Sequence, residues 1–421
     1  MSAVAPATAS ELAVQALLLQ LIVVIAAARL MAWLARRAGQ AEVIGQMIAG
    51  ILLGPSLFGQ LAPEAFAYVF APASAPVFGG LAQLGLVLLM FQIGLDFELT
   101  AVTVARRTVA LVSALGMAFP FALGAATAAY FHDALPEPRP ESVSFLLIFA
   151  ISMSITALPV LGRIFAETGL MRTRAGAIAI GAAAVGDVIG WILLGAVSLL
   201  IAGNFSAGWI GLRLAGLGAV IAAAIFIVRP ALHRYLDRSL AGSDEIARPT
   251  LAAVLALVFG CALITSRLEL HALIGGFILG VALHQHRPFV AAWTRQVDPF
   301  VSALLLPVFF TSTGLRTDAG ALQGAAEVLQ CGLVCVIAFA GKYGGGYLGA
   351  RLAGETPRTA HVLGASMNTR GLMELVVLNI GFDLGVLPRS LYTQLVYMAV
   401  LTTLLTTPLV RRYLRGEPAP R

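Results

Sequence analysis

Asp187 is the only charged residue between Arg174 and Arg213, and Lys342 is the only lysine among the 27 basic residues of this 421-residue chain. Both interrupt long apolar runs. A carboxylate is a hard oxygen ligand suited to a small cation, and it is also an acid whose hold on a proton responds to burial and neighbouring charge. Cation and proton would therefore compete for Asp187. Ser154 and Thr156, just before Pro159, and Asn368 in the run Asn368-Thr369-Arg370-Gly371 are further oxygen donors in apolar surroundings. With unwound backbone carbonyls they could complete an oxygen shell. Arg370 and Glu374 stand four residues apart, a spacing that pairs them on one helix face, so a structural clamp is their expected role. The two isolated charges also admit a purely structural alternative, an Asp187–Lys342 ion pair tying two helices together.

The elements that must carry these residues are membrane helices. Of the residues, 59% are apolar and 11% charged, against about 25% charged in an average soluble protein. Disordered, fibrous and disulfide-stapled secreted classes are excluded. Apolar runs long enough to span a bilayer recur thirteen times, near 12–33, 42–58, 80–95, 108–131, 143–166, 173–202, 207–228, 249–266, 271–284, 298–314, 327–351, 358–381 and 389–410. The expected fold is thus an all-α polytopic membrane protein of thirteen transmembrane helices, a single membrane domain over 1–421. The first run lacks the positively charged flank of a signal peptide and is read as a mature helix. Loops after odd-numbered runs hold nineteen arginines, Arg172, Arg415 and Arg421 among them, and loops after even-numbered runs hold four. By the positive-inside rule the N-terminus lies outside and the C-terminus in the cytoplasm.

Counted from these flanks, Asp187 lies 13 residues past Arg174 and Lys342 9 residues before Arg351. At about 1.5 Å rise per residue, both sit deep in the bilayer, roughly 20 Å and 14 Å from the same side. A charge at such depth costs about 2.5–3.5 kcal/mol on insertion scales, which makes it a functional candidate facing a cavity or a partner.

Three segment pairs recur in order: Ile44-Gly45 with Ile274-Gly275, Gly94-Leu95 with Gly314-Leu315, and Ser152-Met153 with Ser366-Met367. Each second member starts seven runs after the first. Seven is odd, so the two halves, about 12–202 and 249–410, must thread the membrane in opposite senses, with 207–228 as connector. Such inverted repeats belong to secondary transporters. The repeat places Leu401 opposite Asp187 and Ala128 opposite Lys342, so neither charge has a symmetry mate. Pro159 lacks a backbone N–H and opens the helical ladder, and its repeat counterpart is the polar, glycine-containing Asn368–Gly371 stretch. Two discontinuous helices at matching positions are expected, with half-helix ends able to face an ion.

Other chemistry is absent from the pattern. His132 and His233 are read as loop residues, and His271, His284, His286 and His361 as bordering membrane ends, with no metal-site spacing. Cys261, Cys331 and Cys335 are read as small apolar residues. The glycines around Lys342 lack a Walker pattern and suit close helix packing. An enzyme, a cofactor and a nucleic-acid partner are not implied. The expected partners are a monovalent cation, protons and the lipid bilayer. Two rival readings carry different tests: a sodium-coupled organic-anion symporter, which needs a roomier pocket, and a gated cation channel or sensor, which would pass current without proton exchange.

The segments AAAVGDVIGW at 182–191, SITALP at 154–159, FFTSTGLRTD at 309–318, Lys342, and MNTRGLMELVVLNIG at 367–381 resemble the second branch of the monovalent cation:proton antiporters, with Kef-type and plant CHX-like members nearest. The resemblance implies a thirteen-helix sodium/proton-antiporter fold. Its core of helices 4–6 and 11–13, with crossing broken helices 5 and 12, would move like an elevator against a dimerisation domain, as a homodimer in an inner (plasma) membrane. It matches Asp187 to the ion-binding aspartate and Lys342 to the core lysine, and it tilts the cation toward potassium over sodium. Many members carry a second acid, Asn or Gln just before that aspartate, where this chain has Gly186. Kef-type systems bear a cytoplasmic nucleotide-binding domain, which is not expected here, although a separate regulatory subunit could supply one.

Overall fold

A computed structural model describes residues 9–71, 74–96, 105–135, 138–168, 170, 173–201, 207–240, 244–268, 272–317, 322 and 324–414. Arg172, His271, Arg415 and Arg421 lie outside them. Helices are the regular structure of the described residues, without strands among them. Ten helices are long and apolar enough to cross a membrane. The expected runs not among them are Ala272–Leu283, at 12 residues, and the two that break in the middle.

The helices pack as two groups. Ala9–Arg37, Glu42–Leu53, Ala75–Leu95, Arg248–Arg267, Ala272–Leu283 and Leu306–Arg316 form one. Arg106–Ala134, the broken pairs, Arg174–Ile201, Ala325–Leu352 and Arg389–Leu414 form the other. The groups meet chiefly where Glu42–Leu53 lies against Arg389–Leu414. The connector is longer than its apolar run: Ala207–Ala223 continues through a π turn, Ala224–Val228, into Arg229–Ser239. The arginine-bearing end stays helical because Leu232 and Leu236 give it a buried face. His233 is therefore helical and not in a loop, as is His132 in the last turn of Arg106–Ala134.

Close approaches fall at the glycines of the segment pairs that recur in the sequence. A Cβ at Gly45 would sit 2.3 Å from the Met31 carbonyl oxygen, and one at Gly275 2.3 Å from that of Cys261, so each glycine lets its helix touch the preceding one. The second pair exchanges partners between halves. A Cβ at Gly94 would lie 2.5 Å from Phe277 O, and one at Gly314 1.9 Å from Gly50 O.

Both broken helices start with a side-chain cap. Glu141 accepts from the Val143 and Ser144 amides at 3.0 and 2.6 Å, and Thr356 accepts from Thr359 N at 3.2 Å ahead of Pro357. The first half-helix, Ser142–Ser154, gives way at residues 155–157 to Leu158–Thr168, with Pro159 at its second position. In the other, Pro357–Met367 ends before residues 368–371, and Leu372–Asp383 begins after Gly371, whose φ of 156° suits glycine.

Candidate functional site

The two breaks are bonded to each other. Ala157 N donates to Thr369 O at 2.8 Å, and Thr156 Oγ1 donates to Met367 O at 3.2 Å. A helix end leaves its last carbonyls and first amides without internal partners, and it carries a partial negative charge at the C-terminus and a positive one at the N-terminus. Side chains from other segments meet both demands at the first break. Arg370 donates to Ser152 O and Met153 O, each at 2.8 Å, and Lys342 donates to Ser154 O and, at 2.7 Å, to Thr156 Oγ1. Two cations thus close the C-terminal end of Ser142–Ser154. On the far side of the gap the Leu158 amide, which opens the second half, donates to the Asp187 carboxylate. Cations face the negative end and an anion faces the positive end.

Burial makes this pairing matter. Lys342, Arg370 and Glu374 have no exposed surface and Asp187 has 2%. Counted with their ordinary charges, these two acids and two bases sum to zero, so the buried cluster is neutral as a whole. Arg370 also pairs with Glu374, 3.1 Å away on the same helix face. No Asp187–Lys342 ion pair is present among the described residues. Lys342 spends its donors on the broken helix instead, on Ser154 O and on Thr156 Oγ1.

The remaining candidate residues sort by what they have left to offer. Ser154 Oγ donates back to Ile151 O at 2.9 Å, and Thr156 Oγ1 is held between Lys342 and Met367 O. Asn368 Nδ2 donates to Gly364 O at 3.2 Å, which leaves its Oδ1 without a partner. Asp187 Oδ1 and Glu374 Oε2 are likewise buried and unpartnered. Free acceptor oxygens at this depth are costly unless something binds them. Gly186, next to Asp187, is not a steric necessity: a Cβ there would lie 3.6 Å from Met117 Sδ, an ordinary contact.

Two supporting residues escape a reading of the sequence. Thr403 Oγ1 accepts from Arg370 N at 2.8 Å and lies 3.1 Å from Arg370 O, pinning the second break from the last helix. Ser152 supplies a carbonyl to Arg370. The signal for Thr403 was the Thr402-Thr403 and Thr406-Thr407 pairs, four residues apart in an apolar helix.

A polytopic helical bundle with two bonded helix breaks and buried charges at one of them has the features of a membrane transport protein. Residues 23–416 match the family model described as sodium/hydrogen exchanger, transmembrane, and the chain belongs to that family. It is 38% identical over 397 residues to Cation/H(+) antiporter 18 of Arabidopsis thaliana, covering 93% of this chain and 48% of that relative. It is 35% identical over 407 residues to the Na(+)/H(+) antiporter NhaS4 of Synechocystis, covering 96% and 98%. The K(+)/H(+) antiporter 1 of Saccharomyces cerevisiae is 29% identical over 383 residues, covering 88% of this chain and 43% of the relative. The chain therefore spans about half the length of the plant relative and nearly all of the cyanobacterial one. In fold it is similar to the sodium proton antiporter MjNhaP1 from Methanocaldococcus jannaschii, with a TM-score of 0.65 at 16% identity, over 97% of this chain and all of that one.

Proposed function

We propose that the chain is a secondary antiporter that exchanges a monovalent cation, potassium or sodium, for protons, with the two competing for Asp187. The observation that carries this reading is the Asp187 carboxylate. One of its oxygens holds the Leu158 amide at a helix break, and the other, Oδ1, is buried with no partner. A bound proton or a bound cation would each satisfy that oxygen, and the two cannot occupy it together. Asn368 Oδ1 and backbone carbonyls of the breaks are the further oxygen ligands. Lys342 and Arg370 hold the negative helix end, so a cation arriving at Asp187 meets a carboxylate not already neutralised by an ion pair.

Asp187 is buried, with 2% of its surface exposed, so exchange in this reading proceeds by alternating access. The two helix groups, joined along a narrow seam, suit an elevator-like shift of the charged group against the other. The proposal includes thirteen crossings in two inverted repeats, crossing broken helices, the N-terminus outside, the C-terminus in the cytoplasm of an inner (plasma) membrane, and a homodimer. Relatives named for sodium, for potassium and for cations in general keep both ions as candidate substrates.

The test is purified protein in liposomes with an internal pH dye. Adding potassium or sodium moves protons in the wild type, and Asp187→Asn abolishes the movement while the protein still folds. Exchange at the wild-type rate in Asp187→Asn rules the site out, and current without proton movement favours a channel.

A further inference from the structure

A second polar cluster lies away from Asp187, on the seam between the two helix groups. From one group come Thr313 and Arg316 of Leu306–Arg316, with Thr317 just beyond. From the other come Asn379 and Asp383 of Leu372–Asp383 and Tyr392 of Arg389–Leu414. Asn379 Nδ2 donates to Thr313 Oγ1 at 2.9 Å, and Tyr392 OH lies 2.9 Å from Asn379 Oδ1 and 3.2 Å from Thr313 O. Arg316 and Asp383 form an ion pair at the rim of the cluster. Thr317 Oγ1 donates to Thr313 O at 3.0 Å, and the Tyr392 ring packs 5.0 Å from Phe382.

The placement is one-sided. Asn379 follows Gly371 by eight residues, so it stands about 12 Å along the helix from the second break. Toward the opposite end of the seam, the described link is Gln40 Nε2 to Leu404 O at 3.1 Å. Thr313 and Tyr392 are buried, so their hydrogen bonds would be replaced by water only if the seam parted there. Neither the exchange chemistry nor the helix breaks needs these residues.

We propose that Thr313, Asn379 and Tyr392, rimmed by the Arg316–Asp383 pair, form a lock that must open before Asp187 can be reached from that side of the membrane. The inference rests on the antiport reading for what the lock controls. Closed, the cluster bonds the Leu372–Asp383 half-helix and the last helix to the opposite group. Open, it would let the second break move away from Leu306–Arg316 and admit water along Leu372–Asp383.

The test is an Arg316→Cys/Asp383→Cys protein in which Cys261, Cys331 and Cys335 are replaced by alanine, reconstituted and bridged with a short bis-methanethiosulfonate that reductant removes. Bridging is expected to cut exchange at least tenfold, and reduction to restore it. Bridged protein that exchanges within twofold of the reduced rate overturns the lock, whatever Asp187→Asn does. Should the wild type show no exchange at all, the antiport reading is what fails; should only the reduced variant show none, labelling decides the lock. A Val376→Cys added to this protein lies one turn inward of Asn379 on the same face. Added from the lock side after the reductant is removed, a membrane-impermeant maleimide, read by mass only on the peptide that carries position 376, is expected to label it with the bridge removed and to fail with the bridge in place. Equal labelling in both states overturns the proposal.

Discussion

The two helix breaks are built differently although they touch. At residues 155–157 the exposed helix ends are met from outside: Arg370 and Lys342 on the carbonyls, Asp187 on the Leu158 amide. At residues 368–371 the chain satisfies much of itself. Asn368 bonds Gly364 O, Thr369 Oγ1 donates to Ser366 O at 2.8 Å, Gly371 turns at positive φ, and Thr403 pins Arg370. The first break therefore holds charge in place, and the second positions the guanidinium that helps hold it. Charge imported to one break and not to the other agrees with the sequence expectation that Asp187 and Lys342 have no repeat mates.

If that division is right, variants at the first break act through charge and those at the second through geometry. The largest expected effect on stability is from Arg370→Ala, which strands Glu374 and two helix-end carbonyls. A cost of about 3–5 kcal/mol is expected, as for other broken buried pairs, read as a lowered unfolding temperature in detergent. Arg370→Met combined with Glu374→Gln should recover part of it; no recovery would mean the pair is not the source. Next comes Lys342→Met, which takes the donor from Ser154 O and leaves Thr156 Oγ1 only its bond to Met367 O, at a cost of about 1–3 kcal/mol. It should also move the pH profile of exchange, and wild-type values of both would remove Lys342 from the account. The smallest effect is Thr403→Ala, about 0.5–1.5 kcal/mol for the lost hydrogen bonds, with the pH profile unmoved. A shifted profile there would blur the contrast between the breaks.

Much of this was legible from residue types. Burial of Asp187 and Lys342 followed from their place inside apolar runs between Arg174 and Arg351, and the breaks from Pro159 and from the Asn368–Gly371 stretch. Azimuth was not legible. Spacing along one helix says how far Lys342 stands from the helix end but not which neighbour it faces, and packing turns the amine toward Ser154 rather than into an ion pair with Asp187. Thr403 was hidden for the same reason, since its partner is 33 residues away in sequence. The length of the connector was hidden because the arginines after residue 228 look like a loop when the buried Leu232 and Leu236 face goes unseen.

The most direct test of competition at Asp187 needs no membrane. Purified protein in weakly buffered detergent solution, with a pH indicator, receives potassium or sodium. The wild type should release protons as the cation binds, with apparent affinity rising by up to about tenfold per pH unit while Asp187 is protonated, and Asp187→Asn should release none. Equal proton release from the two proteins would contradict the account.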